Sequence, residues 1–225
     1  MADICYYYMD LHQAAKKPDW QKVEPDQRNG WQRLAHSTNG LVTPGNIVSI
    51  VGALLVVWGL LRVYNGALGQ GLCILLIGRL ADIADGVVAH RTGTKGPLGE
   101  TLDATIDKLA MAAALVVFVL AEAVPLLPLI GFAFLNSGAA VLGVIARMRR
   151  RIMHPSFFGK ISTGFQWAAF LLYILAELLE SQDMDGVGIA VRLLAAVAVL
   201  CALGIGGLAL SRYAVTALLP RRSNV

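Results

Sequence analysis

The chain has 225 residues, 56% hydrophobic and 15% charged, with a mean hydropathy of +0.62 and a net charge of +4. Soluble domains carry about 25% charged residues, so this balance excludes a disordered chain, a collagen-like chain and an ordinary cytosolic enzyme. It points to an all-α polytopic membrane protein.

Residues 1–33 are polar and mixed in charge, and no basic stretch there leads into an apolar run, so no signal peptide is expected. Trp20 and Trp31 sit among Lys16, Lys17, Lys22, Arg28 and Arg33. That mixture suits a segment at the membrane interface, where indoles prefer the headgroup level; a free cytosolic tail is the alternative. Pro44 and Gly45 mark a helix start, and a span needs ~20 apolar residues. The apolar runs predict six transmembrane helices near 46–64, 67–90, 103–124, 126–147, 160–180 and 187–212. Short connections make neighbouring helices antiparallel. The expected organisation is an N-terminal cytoplasmic or interfacial segment over 1–42, a six-helix domain over 43–215 and a basic C-terminal tail over 216–225. The three cysteines, Cys5, Cys73 and Cys201, are odd in number and two lie in apolar runs, so they read as buried or lipid-facing thiols.

With six spans, 15 of the 19 Lys and Arg residues fall on one side. Positively charged loops face the cytoplasm, so both termini are expected there, in a plasma or inner membrane. Arg147, Arg149, Arg150 and Arg151 form a basic block on that side, explained chiefly by topology and by attraction to anionic headgroups. Binding to nucleic acid is not expected, because these charges are juxtamembrane and lack an aromatic stacking platform.

Ionisable residues inside spans are costly and point to function. They gather in the second and third predicted helices: Asp82, Asp85 and Gly86, then Gly99, Asp103 and Asp107. At ~100° per residue, Asp82, Asp85, Gly86 and Ala89 share one helix face, as do Gly99, Asp103 and Asp107 on the next. A turn between antiparallel helices brings four carboxylates together. Unpaired carboxylates in low dielectric repel one another and protonate, a repulsion that divalent cations relieve. An all-oxygen donor set favours Mg²⁺ or Mn²⁺ over zinc. Gly86 and Ala89 clear bulk from the same face, so a flat or phosphorylated ligand can approach the backbone.

This pattern resembles the signature of the CDP-alcohol phosphatidyltransferase family, Asp-x2-Asp-Gly-x2-Ala-Arg-x8-Gly-x3-Asp-x3-Asp. Asp82, Asp85, Gly86, Ala89, Gly99, Asp103 and Asp107 match at the family spacing, while His90 stands where the family has Arg and Arg91 follows it. Thr43 to Ser49 resembles the family's Pro-Asn-x-x-Thr opening of the first helix, with one extra residue before Asn46. Gly159-Lys160-Ile161-Ser162-Thr163-Gly164-Phe165-Gln166 resembles the Gly-Lys-x-x-Thr-x-x-Gln run of phosphatidylglycerophosphate synthases, although Asn136-Ser137 stands where that subgroup carries Arg-Glu or Arg-Asp.

The resemblance implies transfer of a phosphatidyl group from CDP-diacylglycerol to the hydroxyl of a small polar alcohol, with release of CMP. It implies a two-metal site of Mg²⁺ or Mn²⁺ on Asp82, Asp85, Asp103 and Asp107, with Asp107 as the general base. The CDP moiety would lie against Asn46, Asp82, Gly86, Ala89, Arg91 and Gly99. Arg147, Lys160, Thr163 and Gln166 would bind the acceptor, glycerol 3-phosphate first among candidates. Inositol phosphate, phosphatidylglycerol and an uncharged alcohol stay open as acceptors. So do a homodimer, a small cation transporter and an inactive structural homologue.

Overall fold

A computed structural model describes residues 18–149 and 156–218. The described residues form a 3₁₀ turn, Asp19–Gln21, and seven helices: α1 Gly30–Ser37, α2 Pro44–Tyr64, α3 Leu68–Arg91, α4 Pro97–Leu120, α5 Leu126–Met148, α6 Phe157–Glu180 and α7 Asp185–Leu218. No strand occurs among them. Helices α2, α5, α6 and α7 are long and apolar enough to cross a membrane. In α3 and α4 the aspartates and basic residues interrupt the apolar runs. Helix α7, at 34 residues, is about 51 Å long at 1.5 Å per residue and outreaches a ~30 Å hydrocarbon core.

Helix α4 starts at Pro97, six residues before the expected position. The Pro97 ring fixes φ for the first helical residue, and the Gly96 carbonyl accepts the Glu100 amide at 3.2 Å. Gly99, Asp103 and Asp107 are therefore all helical. Helix α6 starts at a side-chain cap, with Ser156 Oγ accepting the Gly159 amide at 3.0 Å.

The described residues fall into two compact units. The first comprises residues up to Gly59 together with Cys73–Met111. In it α2 packs antiparallel on α3 along a seam of small residues. Gly45, Gly52 and Gly59, seven residues apart, meet Ala89, Gly78 and Leu75. A Cβ at Gly45 would lie 2.9 Å from Ala89 Cβ, one at Gly52 3.2 Å from the Gly78 carbonyl, and one at Gly59 2.8 Å from Leu75 Cγ. Lipid tails are as apolar as leucine, so this contact rests on close van der Waals approach and not on expulsion of water.

Residues 18–42 of this unit form an ordered brace. Asn29 and Gln32 form a capping box at the start of α1. Asp19 N–H donates to the Lys95 carbonyl at 3.0 Å, and Asn29 Nδ2 to the Thr92 carbonyl at 3.3 Å. The buried Trp20 indole lies so close to Gly40 and Gly96 that neither position has room for a Cβ. The contacts at Thr92, Lys95 and Gly96 hold the loop between α3 and α4. In that loop Gly93 has φ +63. Gly93 N–H bonds to the His90 carbonyl and Thr94 N–H to the Ala89 carbonyl, the paired bonds that end a helix at a left-handed glycine.

The second unit comprises Leu60–Leu72 and the described residues from Ala112 on. Helix α7 packs along α6 and against α5. Buried Ala195, Ala198, Ala202 and Ala209 line one stripe of α7, allowing close approach. Phe170 anchors an aromatic cluster with Phe118 at 4.6 Å, Phe132 at 5.4 Å and Trp167 at 5.9 Å between ring centroids, tilted or edge-on. Each such pair contributes about 0.5–1.5 kcal/mol beyond its buried area.

Candidate active site

The site is built in the first unit from α3, α4 and the second turn of α2. On α3, Asp82 and Asp85 stand one turn apart, and the Schellman-type reversal at Gly93 returns the chain as α4, whose Asp103 joins them. One carboxylate oxygen from each of Asp82, Asp85 and Asp103 lies within 4.8 Å of the others. Oxygen donors at that separation can hold one hard divalent cation.

Asp85 is the buried member. Ser49 of α2, also buried, donates its hydroxyl to Asp85 Oδ2, and its Oγ lies 3.1 Å from the Gly45 carbonyl. Because Gly45 and Gly52 let the two backbones approach, Ser49 reaches the carboxylate directly. An outer partner of this kind sets the orientation of a metal ligand. Ser49 ends the Asn46-Ile47-Val48-Ser49 run noted above, and its role against Asp85 was not foreseen from sequence.

The fourth aspartate is placed differently. Arg79 Nη1 contacts Asp107 Oδ1 at 2.9 Å, and Nη2 contacts Asp82 Oδ2 at 2.9 Å. The Arg79 and Asp82 side chains are each 18% exposed and Asp107 is 34% exposed. The structure thus groups three of the four expected carboxylates and ties the fourth to a guanidinium. Arg79 lies three residues before Asp82, a spacing at which helical side chains meet; that was its available sequence signal.

The residues expected around the CDP moiety divide. Gly86 is exposed, and a Cβ there would have no neighbour within 4 Å, so the face beside Asp82 and Asp85 is open. Gly99 lets α4 approach the first turn of α2, since a Cβ there would lie 2.8 Å from Asn46 Oδ1. Asn46 is buried and its side-chain amide donates to the Gly40 and Leu41 carbonyls at 3.0 and 2.9 Å. Its amide group therefore braces the turn before α2. Ala89 packs against Gly45, and His90 and Arg91 are exposed at the end of α3.

The residues expected at the acceptor lie in the second unit and do not share one environment. Lys160 is exposed. Thr163 is half-buried, its hydroxyl donating to the Gly159 carbonyl at 3.1 Å. Gln166 is buried: Asn136 Nδ2 donates to its Oε1 at 2.8 Å, and its Nε2 lies 3.3 Å from Ser162 Oγ, which donates to the Ala202 carbonyl at 2.9 Å. Because 3.6 residues make a turn, each three-residue step falls short by ~60°, and two steps carry Gln166 well round the helix from Lys160. The side chain of Arg147, and the whole of Arg150 and Arg151, lie outside the described residues.

The chain is 36% identical over 67 residues to an uncharacterized protein of Aquifex aeolicus (strain VF5), a stretch covering 30% of this chain and 34% of that protein. It thus spans about a third of the length of that relative. No solved structure matches. A family model described as CDP-alcohol phosphatidyltransferase matches residues 42–217, which contain α2 to α6, all but the last residue of α7, and every aspartate of the site. With its signature aspartates drawn together at the α3–α4 reversal, the chain belongs to the CDP-alcohol phosphatidyltransferase family.

Proposed function

We propose that this protein is an integral-membrane transferase that moves a phosphatidyl group from CDP-diacylglycerol to the hydroxyl of a small polar alcohol. The observation that carries the reading is the convergence of Asp82, Asp85 and Asp103 beside the open face at Gly86, within a chain of this family. Six spans are proposed, α2 to α7, with α3 and α4 crossing as a pair whose charged residues turn towards each other. Both termini and the site are assigned to the cytoplasmic side by the placement of Lys and Arg.

The donor set of three clustered carboxylates fits Mg²⁺ or Mn²⁺. Asp82, Asp85 and Asp103 would hold the first ion, with Asp107 completing a second position. The metal supplies charge neutralisation at the diphosphate and leaving phosphate. The open face at Gly86 leaves room for the nucleotide against the α3 backbone, and Gly99 keeps α4 close enough to carry Asp103 to that face. Asp107 takes the proton of the acceptor hydroxyl as its oxygen bonds to the phosphatidyl phosphorus. The bond from that phosphorus to the CMP phosphate oxygen breaks, and CMP leaves with the electron pair.

Glycerol 3-phosphate is the acceptor we favour, because Lys160 is an exposed cation at the start of α6 within a run similar to that of phosphatidylglycerophosphate synthases. Thr163 and the Arg147 position are assigned to the same acceptor. The test is CMP release by purified protein in detergent with CDP-diacylglycerol, Mg²⁺ or Mn²⁺, and a panel of alcohols. Metal-dependent, acceptor-dependent CMP release is expected, fastest with glycerol 3-phosphate. Absence of release with every acceptor sinks the transferase reading; release only with unphosphorylated alcohols removes glycerol 3-phosphate and keeps the rest.

A further inference from the structure

We propose that Trp20 is a positioning residue for the aspartate site: its indole fixes the start of α4 against the turn before α2, and so sets where Asp103 meets Asp82 and Asp85. The proposal rests on the metal-binding part of the proposed function. Trp20 is 3% exposed, and its indole covers two glycines from distant parts of the chain. A Cβ at Gly40 would lie 2.6 Å from Trp20 Cη2, and one at Gly96 2.4 Å from the same atom. Gly40 lies in the turn before α2, and Gly96 directly precedes α4. The family match begins at residue 42, so Trp20 is no part of it.

Both glycines lead to the site. The Gly40 carbonyl accepts the Asn46 side-chain amide at 3.0 Å, and a Cβ on Gly99 of α4 would lie 2.8 Å from Asn46 Oδ1. From the same turn-and-helix segment, Ser49 holds Asp85. Gly96 passes straight into α4, its carbonyl accepting the Glu100 amide at 3.2 Å. The loop that Gly96 closes is also held at Thr92 by Asn29 and at Lys95 by the Asp19 amide. Asp85 lies six residues before the end of α3, and Asp103 six after the start of α4. At 1.5 Å per residue each stands about 9 Å from the reversal, so a tilt of α4 about its first turn becomes a displacement of Asp103. Metal–oxygen distances tolerate only about 0.2 Å. A carboxylate trio drawn from two helices therefore needs the turn between them fixed, and the Trp20 indole is the buried wedge that fixes it.

The test is Mn²⁺ binding to the purified full-length chain in detergent, without lipid or nucleotide, well below the thermal midpoint of each variant. It is read from loss of the free Mn²⁺ paramagnetic signal. Trp20→Ala should bind Mn²⁺ about ten- to a hundredfold more weakly than the parent, the range for groups that orient metal ligands. Trp20→Phe, which keeps a ring over Gly96, should fall between. Gly96→Ala drives a methyl into the indole and should also weaken binding, which supplies the answer if Trp20→Ala fails to fold. With the indole gone the methyl has room, so the double variant should bind no more weakly than Trp20→Ala alone, the non-additivity of residues in contact. Phe170→Leu, in the aromatic cluster of the second unit, should lower the thermal midpoint and leave Mn²⁺ affinity unchanged. A lowered midpoint with unmoved Mn²⁺ affinity in Trp20→Ala makes the indole a packing residue and overturns the proposal. So does an additive double variant, or an equal loss of affinity in Phe170→Leu. If the parent binds no Mn²⁺, both this proposal and the metal site fall. If the variants behave as expected but no alcohol supports CMP release, the transferase reading fails and the role of Trp20 stands.

Discussion

Two polar clusters lie within apolar helices of this protein, and they differ in kind. In the second unit, Asn136, Gln166, Ser162 and the Ala202 carbonyl form a neutral chain of hydrogen bonds running across α5, α6 and α7. Gln166 and Ser162 are buried, and donors meet acceptors along the chain. In the first unit, Asp82, Asp85 and Asp103 crowd like charges at a helix reversal beside an open face, with Asp107 tied to Arg79. A satisfied neutral network rigidifies a core. A crowded carboxylate set holds together favourably only with a positive charge, from a side chain or an ion. Polar residues in a span are thus told apart by whether their partners close the set, not by being polar.

Substitutions at the two clusters should fail in opposite ways. The largest effect is expected at Asp85. Asp85→Asn should abolish CMP release and tight Mn²⁺ binding while the thermal midpoint in detergent holds or rises, because removing a charge relieves repulsion. Retained turnover in this variant would dissolve the distinction between the clusters.

Ser49→Ala removes the hydroxyl that orients Asp85. Outer partners of metal ligands are worth about ten- to a hundredfold in affinity or activity, so Mn²⁺ affinity should drop within that range. An unchanged Mn²⁺ isotherm would reduce Ser49 to a packing residue.

Along α6, Lys160 and Gln166 separate the acceptor reading from the structural one. Lys160→Ala should raise KM for glycerol 3-phosphate by about ten- to a hundredfold, the equivalent of one charge-assisted contact, with no loss of thermal stability. Gln166→Ala should do the reverse. It removes one hydrogen-bond partner each from Asn136 and Ser162, at a cost of about 1 kcal/mol, lowering the thermal midpoint and leaving KM alone. A raised KM at unchanged stability in Gln166→Ala would return that residue to the acceptor site.

The Asp82, Asp85 and Asp103 grouping was legible because i, i+3 and i, i+4 spacings put these side chains on set helix faces, and a short loop must fold one face onto the other. Helix α2 was legible to within two residues of Pro44 because proline fixes its own φ. Arg79 stands one helical turn before Asp82 in the sequence, but its bridge to Asp107 depends on the rotation of α4 about its axis. No local pattern on α3 encodes that rotation. Gln166 and Lys160 show the same limit: their motif spacing is local, whereas burial of one and exposure of the other depend on where α5 and α7 lie.

Composition and periodicity alone determined an all-helical membrane chain, the approximate bounds of α2 to α7 and the gathering of Asp82, Asp85 and Asp103. These follow from backbone hydrogen bonding and side-chain chemistry acting within a turn or two. Only the tertiary structure decided that Ser49 reaches Asp85, that Arg79 joins Asp82 to Asp107, and that the Trp20 segment clamps the α3–α4 loop. Each of these joins residues 25 or more positions apart in the chain. Such contacts are selected by close packing of whole helices, at the small residues that let one backbone approach another.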